Sequence, residues 1–144
     1  MKISLRIAEF DDSESIAELS TQLGYGKYAP GTKGRLKTIL NNTDHCVFVA
    51  ISEGQIIGWI HGFYSFRIES DFFIEIGGLV VDKNFRNKRV GARLVDKVTE
   101  WAKTKSCKKI RVRCNVIREE SHLFYEKIGF ETNKEQKIFD KYLK

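Results

Sequence analysis

The stretch LVVDKNFRNKRVGA, residues 79–92, decides the fold, because it joins a strongly apolar run to an amphipathic one. The run 72–81 is too continuously apolar for a half-exposed strand and predicts a central strand of a sheet. Further along, the spacing becomes helical, with Val90, Leu94 and Val98 on one stripe. The segment is therefore predicted to be a strand, a turn and the start of a helix.

This strand-to-helix junction has the properties of an anion site. The first turn of a helix leaves backbone N–H groups unpaired, and the aligned peptide dipoles favour negative charge there. Gly91 permits close approach, and four basic residues crowd into eight positions: Arg86, Lys88, Arg89 and Arg93. The pattern favours a diphosphate ligand, although a plain connecting loop remains an open alternative on this stretch alone.

Outward from this junction, the periodicity of the apolar residues predicts the remaining elements. A strand at Ile3–Ile7 leads to a helix that Asp11 or Asp12 caps and Gly24 ends. A loop around Pro30 and Gly31 then leads to a short helix over 35–40 and to a hairpin of 47–51 and 56–66 that turns at Glu53-Gly54. The central strand follows, and after it a helix that ends near Lys105. The last three elements are a strand over 110–114, a helix over 121–128 closed by Gly129, and a strand over 137–143. The order predicts an α/β (α+β) three-layer sandwich, a mixed central sheet with helices on both faces.

Composition indicates one ordinary globular domain spanning 1–144. Apolar residues make up 42% of the chain and charged residues 31%, with a formal net charge of +6. Three widely spaced cysteines without a CxxC pattern argue against a disulfide framework or a metal site, and predict reduced, mostly buried thiols. The sequence carries neither a signal-peptide pattern nor an apolar run long enough to span a bilayer, so a cytoplasmic location without membrane contact is expected.

The junction also resembles the acetyl-CoA signature of the GNAT superfamily, Arg/Gln-x-x-Gly-x-Gly/Ala, in which Arg86 and Gly91 match the first and last positions. Arg89 stands where the family usually has glycine, and an αR conformation there would accept arginine without strain. The resemblance implies that the backbone N–H groups of 87–92 hold the pyrophosphate of acetyl-CoA. It also implies that Leu79 and Val81 hydrogen-bond the pantetheine arm.

A second block, residues 115–130, is similar to the later GNAT motif, in which a strand ends at an asparagine and a helix carries Phe-Tyr-Glu-x-x-Gly-Phe. The matching residues are Asn115, Phe124, Tyr125, Glu126, Gly129 and Phe130. Together the two blocks and the N-terminal elements carry the resemblance over about residues 3–131. The cofactor-binding residues it implies are Leu79, Val80, Val81, Arg86, Asn87, Lys88, Arg89, Val90, Gly91, Ala92, Asn115, Phe124 and Tyr125.

The resemblance implies transfer of an acetyl group to a primary amine of a small molecule or peptide. An ammonium ion must lose a proton before it attacks a thioester, and the departing thiolate is helped by gaining one. Glu75, within an apolar strand, is the base candidate, and its alternative is a structural carboxylate paired with an arginine. Tyr125 is the acid candidate, and its alternative is a core aromatic. His122 and Cys114 are weaker candidates for base and nucleophile.

Two other functions remain open at this point. The chain could be a GNAT-like domain that binds acyl-CoA without catalysis, as a sensor. A nucleic-acid-binding module is disfavoured, because most of the aromatic residues lie in apolar runs and are not interleaved with basic ones. The resemblance implies that 22–34 and the hairpin 63–71 build the acceptor site. Their aromatic residues could line a small apolar pocket or simply fill space: Tyr25, Tyr28, Phe63, Tyr64 and Phe66. A local acidic patch of Glu69, Asp71 and Glu75 could favour a cationic acceptor. The oligomeric state is left open, a homodimer included.

Overall fold

A computed structural model describes residues 2–23, 29–114 and 118–144 of the chain. It contains two compact units. One unit ends at Val112, and the other comprises Arg113–Lys144. None of the helices among the described residues is long and apolar enough to cross a membrane.

The first unit is built around a five-stranded mixed sheet. The strands are β1 (Ile3–Ile7), β2 (His45–Ser52), β3 (Gln55–Ser65), β4 (Phe73–Val81) and β5 (Ile110–Val112), and they lie in the order β1-β2-β3-β4-β5. The first four run antiparallel, and β5 pairs parallel with β4. The predicted hairpin turn between β2 and β3 is confirmed, with Glu53 and Gly54 both at positive φ, 50° and 76°.

Three helices belong to the first unit: α1 (Ser13–Ser20), α2 (Ala29–Leu40) and α3 (Val90–Thr104). Short 3-10 turns flank α1 at Phe10–Asp12 and Thr21–Leu23. The predicted short helix over 35–40 is wrong in its start, since Pro30 and Gly31 lie inside α2. Proline is accepted in a first helical turn, where its missing N–H would have no intrahelical partner. Gly24, the predicted end of the first helix, lies outside the described residues.

The helices cover both faces of the sheet. Adjacent residues of β3 point to opposite faces. A Cβ on Gly58 or Gly62 would lie against Leu94 or Val98 of α3, whereas Trp59 packs on a core of Ile16 from α1, Leu36 from α2, and Val47 and Val49 from β2. The predicted mixed sheet with helices on both faces is therefore confirmed.

Two irregularities shape β4, the strand at the centre of the prediction. Its register against β3 shifts by one residue, because Gly78 pairs with His61 and Ile76 pairs with Gly62, which leaves Gly77 as a bulge. On its other side β5 pairs only with Ile74–Ile76. Within the described part of the chain, no strand pairs with that edge of Gly77–Val81.

The second unit contains α4 (Glu119–Lys127), after which Gly129 has a φ of +106°. The predicted helix over 121–128 and its glycine stop are thus confirmed to within two residues. The predicted last strand over 137–143 is wrong: these residues have no regular structure, and Ile138, Phe139, Tyr142 and Leu143 are 80–91% exposed. A strand needs a partner for its backbone hydrogen bonds, and local alternation of apolar residues does not supply one.

Candidate active site

The turn between β4 and α3 has an unusual backbone. Asn87 and Arg89 both adopt the left-handed region, with φ of 65° and 64°. The expectation that Arg89 would be αR is therefore wrong, and its left-handed conformation is one that glycine adopts without a steric cost. For a residue with a Cβ this conformation costs about 1–2 kcal/mol.

This backbone leaves a concentration of donors at the start of α3. The first hydrogen bond into the helix runs from the Arg93 N–H to the Arg89 carbonyl, at 3.0 Å. The N–H groups of Val90, Gly91 and Ala92 therefore precede the intrahelical ladder, and alternating left-handed residues turn such groups toward one concavity. The side chains of residues 86–89 are exposed around it. This donor set suits a diphosphate.

A 3-10 turn holds the approach to this concavity. The Asp82 carboxylate accepts a hydrogen bond from the Asn84 N–H at 2.9 Å, and the Phe85 N–H donates to the Asp82 carbonyl at 2.8 Å. The Lys83 N–H donates to the Gln22 side-chain oxygen at 3.0 Å, which ties the turn to the end of the α1 region. Leu79 and Val81 lie in the segment of β4 whose outer edge has no strand partner among the described residues.

Glu75 lies in the first half of β4, opposite Phe63 on β3 and Arg111 on β5. Its side chain is 12% exposed, and one carboxylate oxygen is 3.8 Å from the Arg67 guanidinium. A carboxylate held beside an arginine can be a structural ion pair or a positioned base, and the geometry is compatible with both roles. The bulge at Gly77 follows two residues later, so Glu75 is just before the point where β4 changes register.

A histidine pair that sequence reasoning missed lies on the same face of the sheet. His45 Nδ1 and His61 Nε2 are 2.8 Å apart, the rings stack at 5.1 Å, and Phe63 stacks on His45 at 5.6 Å. Burial, with a smaller contribution from His45, lowers the pKa of His61 to about 4. His61 is therefore neutral at pH 7. The alternation Gly58, Trp59, Ile60, His61, Gly62 was the available signal, because it assigns the polar-tipped Trp59 and His61 to one face and two glycines and an isoleucine to the other.

Two consecutive glycines keep this face open. A Cβ on Gly77 would lie 2.6 Å from His61 Nδ1, and a Cβ on Gly78 would lie 2.6 Å from the Trp59 ring. Both distances are shorter than any normal contact, so neither position accepts a side chain without moving a ring. The buried indole N–H of Trp59 has no hydrogen-bond partner among the described residues. An unsatisfied buried donor of this kind is uncommon in a purely structural layer.

In the second unit, Tyr125 lies on α4 between two aromatic residues. Its ring contacts Phe124 and Phe130 edge to face, at 5.0 and 5.4 Å. Burial raises the pKa of its phenol to about 12, so the hydroxyl is protonated at any physiological pH. Asn115, the other motif residue expected near the cofactor, lies outside the described residues. His122 and Cys114 are both half-buried.

The predicted aromatic acceptor pocket is only partly testable, because Tyr25 and Tyr28 lie outside the described residues. Consecutive strand residues Phe63 and Tyr64 face opposite sides of the sheet, and the Tyr64 hydroxyl donates to the Lys105 carbonyl at 3.2 Å beside the end of α3. Phe66 stacks on Tyr64, not on Phe63. The proposed set of aromatics therefore does not line one pocket. Glu69 and Asp71 are exposed, and Glu75 faces a guanidinium, so no acidic patch is apparent among these residues.

The site thus combines a mixed sheet, whose fourth strand has no described strand partner along one edge of Gly77–Val81, with a helix start whose donors suit an anion. Residues 13–130 match the sequence pattern of the acetyltransferase (GNAT) family. The chain belongs to this family, as the two sequence blocks predicted. With the family, the predicted acetyltransferase class and the predicted acetyl-CoA donor are confirmed for the region that the family pattern covers.

Three relatives illustrate the range of the similarity. The chain is 32% identical over 105 residues to glucosamine 6-phosphate N-acetyltransferase of Arabidopsis thaliana, covering 67% of each chain. It is 29% identical over 85 residues to N-acetylaspartate synthetase of Xenopus tropicalis, which is 59% of this chain and only 30% of that protein's length. Among solved structures, aminoglycoside acetyltransferase AAC(6')-Iy in complex with a CoA bisubstrate analogue superposes with a TM-score of 0.89 at 20% identity, over 99% of this chain and 100% of that one.

Proposed function

We propose that this chain transfers the acetyl group of acetyl-CoA directly to a primary amine of a small molecule or peptide. The observation that carries the proposal is the turn at 86–89, where Asn87 and Arg89 are left-handed and the N–H groups of Val90, Gly91 and Ala92 precede the hydrogen-bond ladder of α3. Such a nest beside exposed basic side chains is suited to the pyrophosphate of acetyl-CoA. Leu79, Val80 and Val81 are proposed to pair with the pantetheine arm along the open edge of β4, and Asn115, Phe124 and Tyr125 to complete the site.

The proposed chemistry needs a base and an acid. Glu75 takes one proton from the acceptor ammonium, and the free amine attacks the thioester carbon. The nitrogen then loses a second proton as the C–S bond breaks, which gives the amide and a thiolate that is protonated to CoA thiol, with net release of one proton. Tyr125 stabilises the departing thiolate with its phenolic proton. Its raised pKa keeps that proton in place before the reaction, and a thiolate whose thiol has an ordinary pKa near 8.5 is a weaker base than the phenolate. Tyr125 therefore acts mainly as a hydrogen-bond donor to the sulfur.

We further propose that 1–144 forms one domain, because the family match over 13–130 includes residues of both compact units. A cytoplasmic location and a small-molecule or peptide acceptor accord with the absence of a spanning helix among the described residues and with the relatives' names. Nucleic acid is not a proposed partner. A homodimer is compatible with the proposal but is not required by it.

Charge reversal at the turn tests the proposal. Calorimetric titration of acetyl-CoA into Arg86→Glu should give an affinity about 10-fold or more below that of the parent protein, since one charge-assisted contact to a phosphate is lost and a repulsion is added. Lys103→Glu, which reverses an exposed charge in the last turn of the same helix, is the matched control and should bind normally.

Equal binding by Arg86→Glu and the parent protein would contradict the site assignment. Release of free CoA thiol in the presence of an amine panel then separates an enzyme from a sensor. Tight acetyl-CoA binding without thiol release for any amine would favour the non-catalytic alternative.

A further inference from the structure

Three cationic side chains surround one buried phenyl ring at the start of β4. The Arg111 guanidinium carbon, the Lys109 ammonium nitrogen and the Arg67 guanidinium carbon lie 4.6, 4.7 and 5.3 Å from the ring centroid of Phe73. Phe73 itself is 0% exposed. The cations come from the end of β3 and from the start of β5, so tertiary structure and not local sequence brings them together. We call these three residues the cation cluster.

The charge of the cation cluster is only partly balanced. Arg67 is 3.8 Å from the Glu75 carboxylate, and its Nε also donates to the Ser65 hydroxyl at 3.4 Å. Lys109 and Arg111 make no ion pair with a carboxylate among the described residues. The three like charges repel one another, an effect that solvent screens at the exposed Lys109 and less at the half-buried Arg67 and Arg111. The ring of Phe73 attracts each cation by only about 0.5–2 kcal/mol, so a bound anion would offset the remaining repulsion.

The position of the cation cluster relates it to the proposed reaction. Arg111 is directly opposite Glu75 in the β4–β5 register, and Arg67 contacts the Glu75 carboxylate. An amine that gives its proton to Glu75 therefore lies within a few ångströms of the cluster. An arginine presents a planar fork of N–H donors that fits two oxygens of a carboxylate or a phosphate, and a lysine adds a point charge.

We propose that the cation cluster of Arg67, Lys109 and Arg111 selects acceptors that carry an anionic group, a carboxylate or a phosphate, close to the reacting amine. This inference rests on the proposed function of Glu75 and adds the chemical class of the acceptor. The same cluster repels polycations such as aminoglycosides, because a second ammonium group would lie beside Lys109 and Arg111, which carry the same charge. This chain therefore shares the fold of aminoglycoside acetyltransferases without sharing their class of acceptor.

The test compares amines that differ only in the anionic group. The phosphate pair is glucosamine 6-phosphate and glucosamine, the carboxylate pair is aspartate and its diamide, and neamine is the polycation. Thiol release gives kcat/KM for each, and calorimetry gives the affinity of each in the presence of CoA. In at least one pair we expect kcat/KM for the anionic amine to exceed that for the neutral amine by about 10-fold or more, because the neutral amine lacks one charge-assisted contact. The pair with the larger ratio identifies the anion.

Two double variants with the same change in net charge isolate the cation cluster. Lys109→Gln/Arg111→Gln should bring the ratio within the favoured pair close to one, while Lys103→Gln/Lys108→Gln, at exposed positions without a contact to Phe73, should leave it unchanged. Arg111→Lys retains the charge and should retain part of the preference. Melting temperatures confirm that each variant is folded.

The results separate this inference from the proposed function. The inference is overturned if the protein acetylates the neutral amines or neamine as well as the anionic amines or better. It is also overturned if both double variants lose the preference within the favoured pair equally. Either result leaves the proposed function intact. If no amine releases thiol, the proposed function fails, and calorimetry decides the inference: anion-dependent binding that requires Lys109 and Arg111 supports it, and its absence overturns it.

Discussion

On the side of the sheet that faces α3, strand β3 contributes Gly58 and Gly62, whereas on the side that faces α1 and α2 the same strand contributes Trp59, His61 and Phe63. A Cβ on Gly58 would lie 3.2 Å from Leu94 Cδ1, and one on Gly62 would lie 3.0 Å from Val98 Cγ1, so α3 packs directly on the backbone. The other face carries the histidine pair, Glu75, the cation cluster and an unpartnered indole N–H.

The difference teaches which parts of this fold provide stability and which provide chemistry. The buried residues of α3 are all apolar or glycine, and each side chain contributes in proportion to the area it removes from water. The opposite face keeps polar groups at partial burial, where each costs desolvation that a core of the same size would not. Proteins retain such groups mainly where they bind or react. The following predictions test this division of roles.

The largest expected effect is on the α3 face. Leu94→Ala removes a side chain that is 0% exposed and packs over Gly58, and should lower the free energy of unfolding by about 2–5 kcal/mol. Chemical denaturation measures the change. Leu123→Ala, at a leucine that is 67% exposed, should cost less than about 0.5 kcal/mol. If folded Leu94→Ala also had a lower kcat, the α3 face would contribute to the chemistry, and the division of roles between the two faces would be wrong.

A comparable effect is expected from acidifying the opposite face. The pKa of His61 is lowered to about 4 in the folded protein and is near 6.5 when unfolded, so the unfolded state binds the extra proton between these values. Stability should therefore be fully present above pH 6.5 and fall by about 3 kcal/mol as the pH is lowered to about 4. Denaturation series at several pH values measure the slope.

The control for this slope is His61→Gln, which should flatten it within that pH window. Asp12 does not interfere, because the Arg6 guanidinium lowers the pKa of its carboxyl below the ordinary value, and its loss of stability falls at lower pH. A slope that persists in His61→Gln would place the titrating group elsewhere in the molecule.

The smallest effect in free energy is the most direct probe of chemistry. Glu75→Gln keeps the shape of the side chain and removes its basicity, so kcat/KM should fall by about 10²-fold near neutral pH, equivalent to about 2.7 kcal/mol. The defect should shrink at high pH, where the free amine accumulates unaided. The measurement is a pH-rate profile with saturating acetyl-CoA.

A structural ion pair with Arg67 gives the opposite expectation for Glu75→Gln. The variant would then melt earlier and lose activity evenly at every pH. Arg67→Gln serves as the matched control, because it removes the partner of Glu75 and leaves the carboxylate in place. If the two variants have the same pH-rate profile, the Arg67–Glu75 pair is structural. The chemical role of this face would then rest on the histidine pair and the cation cluster.

Sequence by itself determined the family, the central strand and the junction to α3. These features depend on local periodicity and on donors at a helix start, both of which belong to contiguous residues. Local pattern also predicted the hairpin turn at Glu53-Gly54 and the stop at Gly129. It failed at 137–143, because strand formation depends on a partner that the segment's own residues do not encode.

Only the tertiary structure decided which side chains meet. His45 and His61 are sixteen positions apart, and the cation cluster joins the end of β3 to β5 around Phe73. The register of neighbouring strands brings the members of each group together, and the separation of those members along the chain does not predict that register. The left-handed Arg89 has the same origin, because the backbone of the turn must connect β4 to α3, and that connection outweighs the intrinsic preference of one residue.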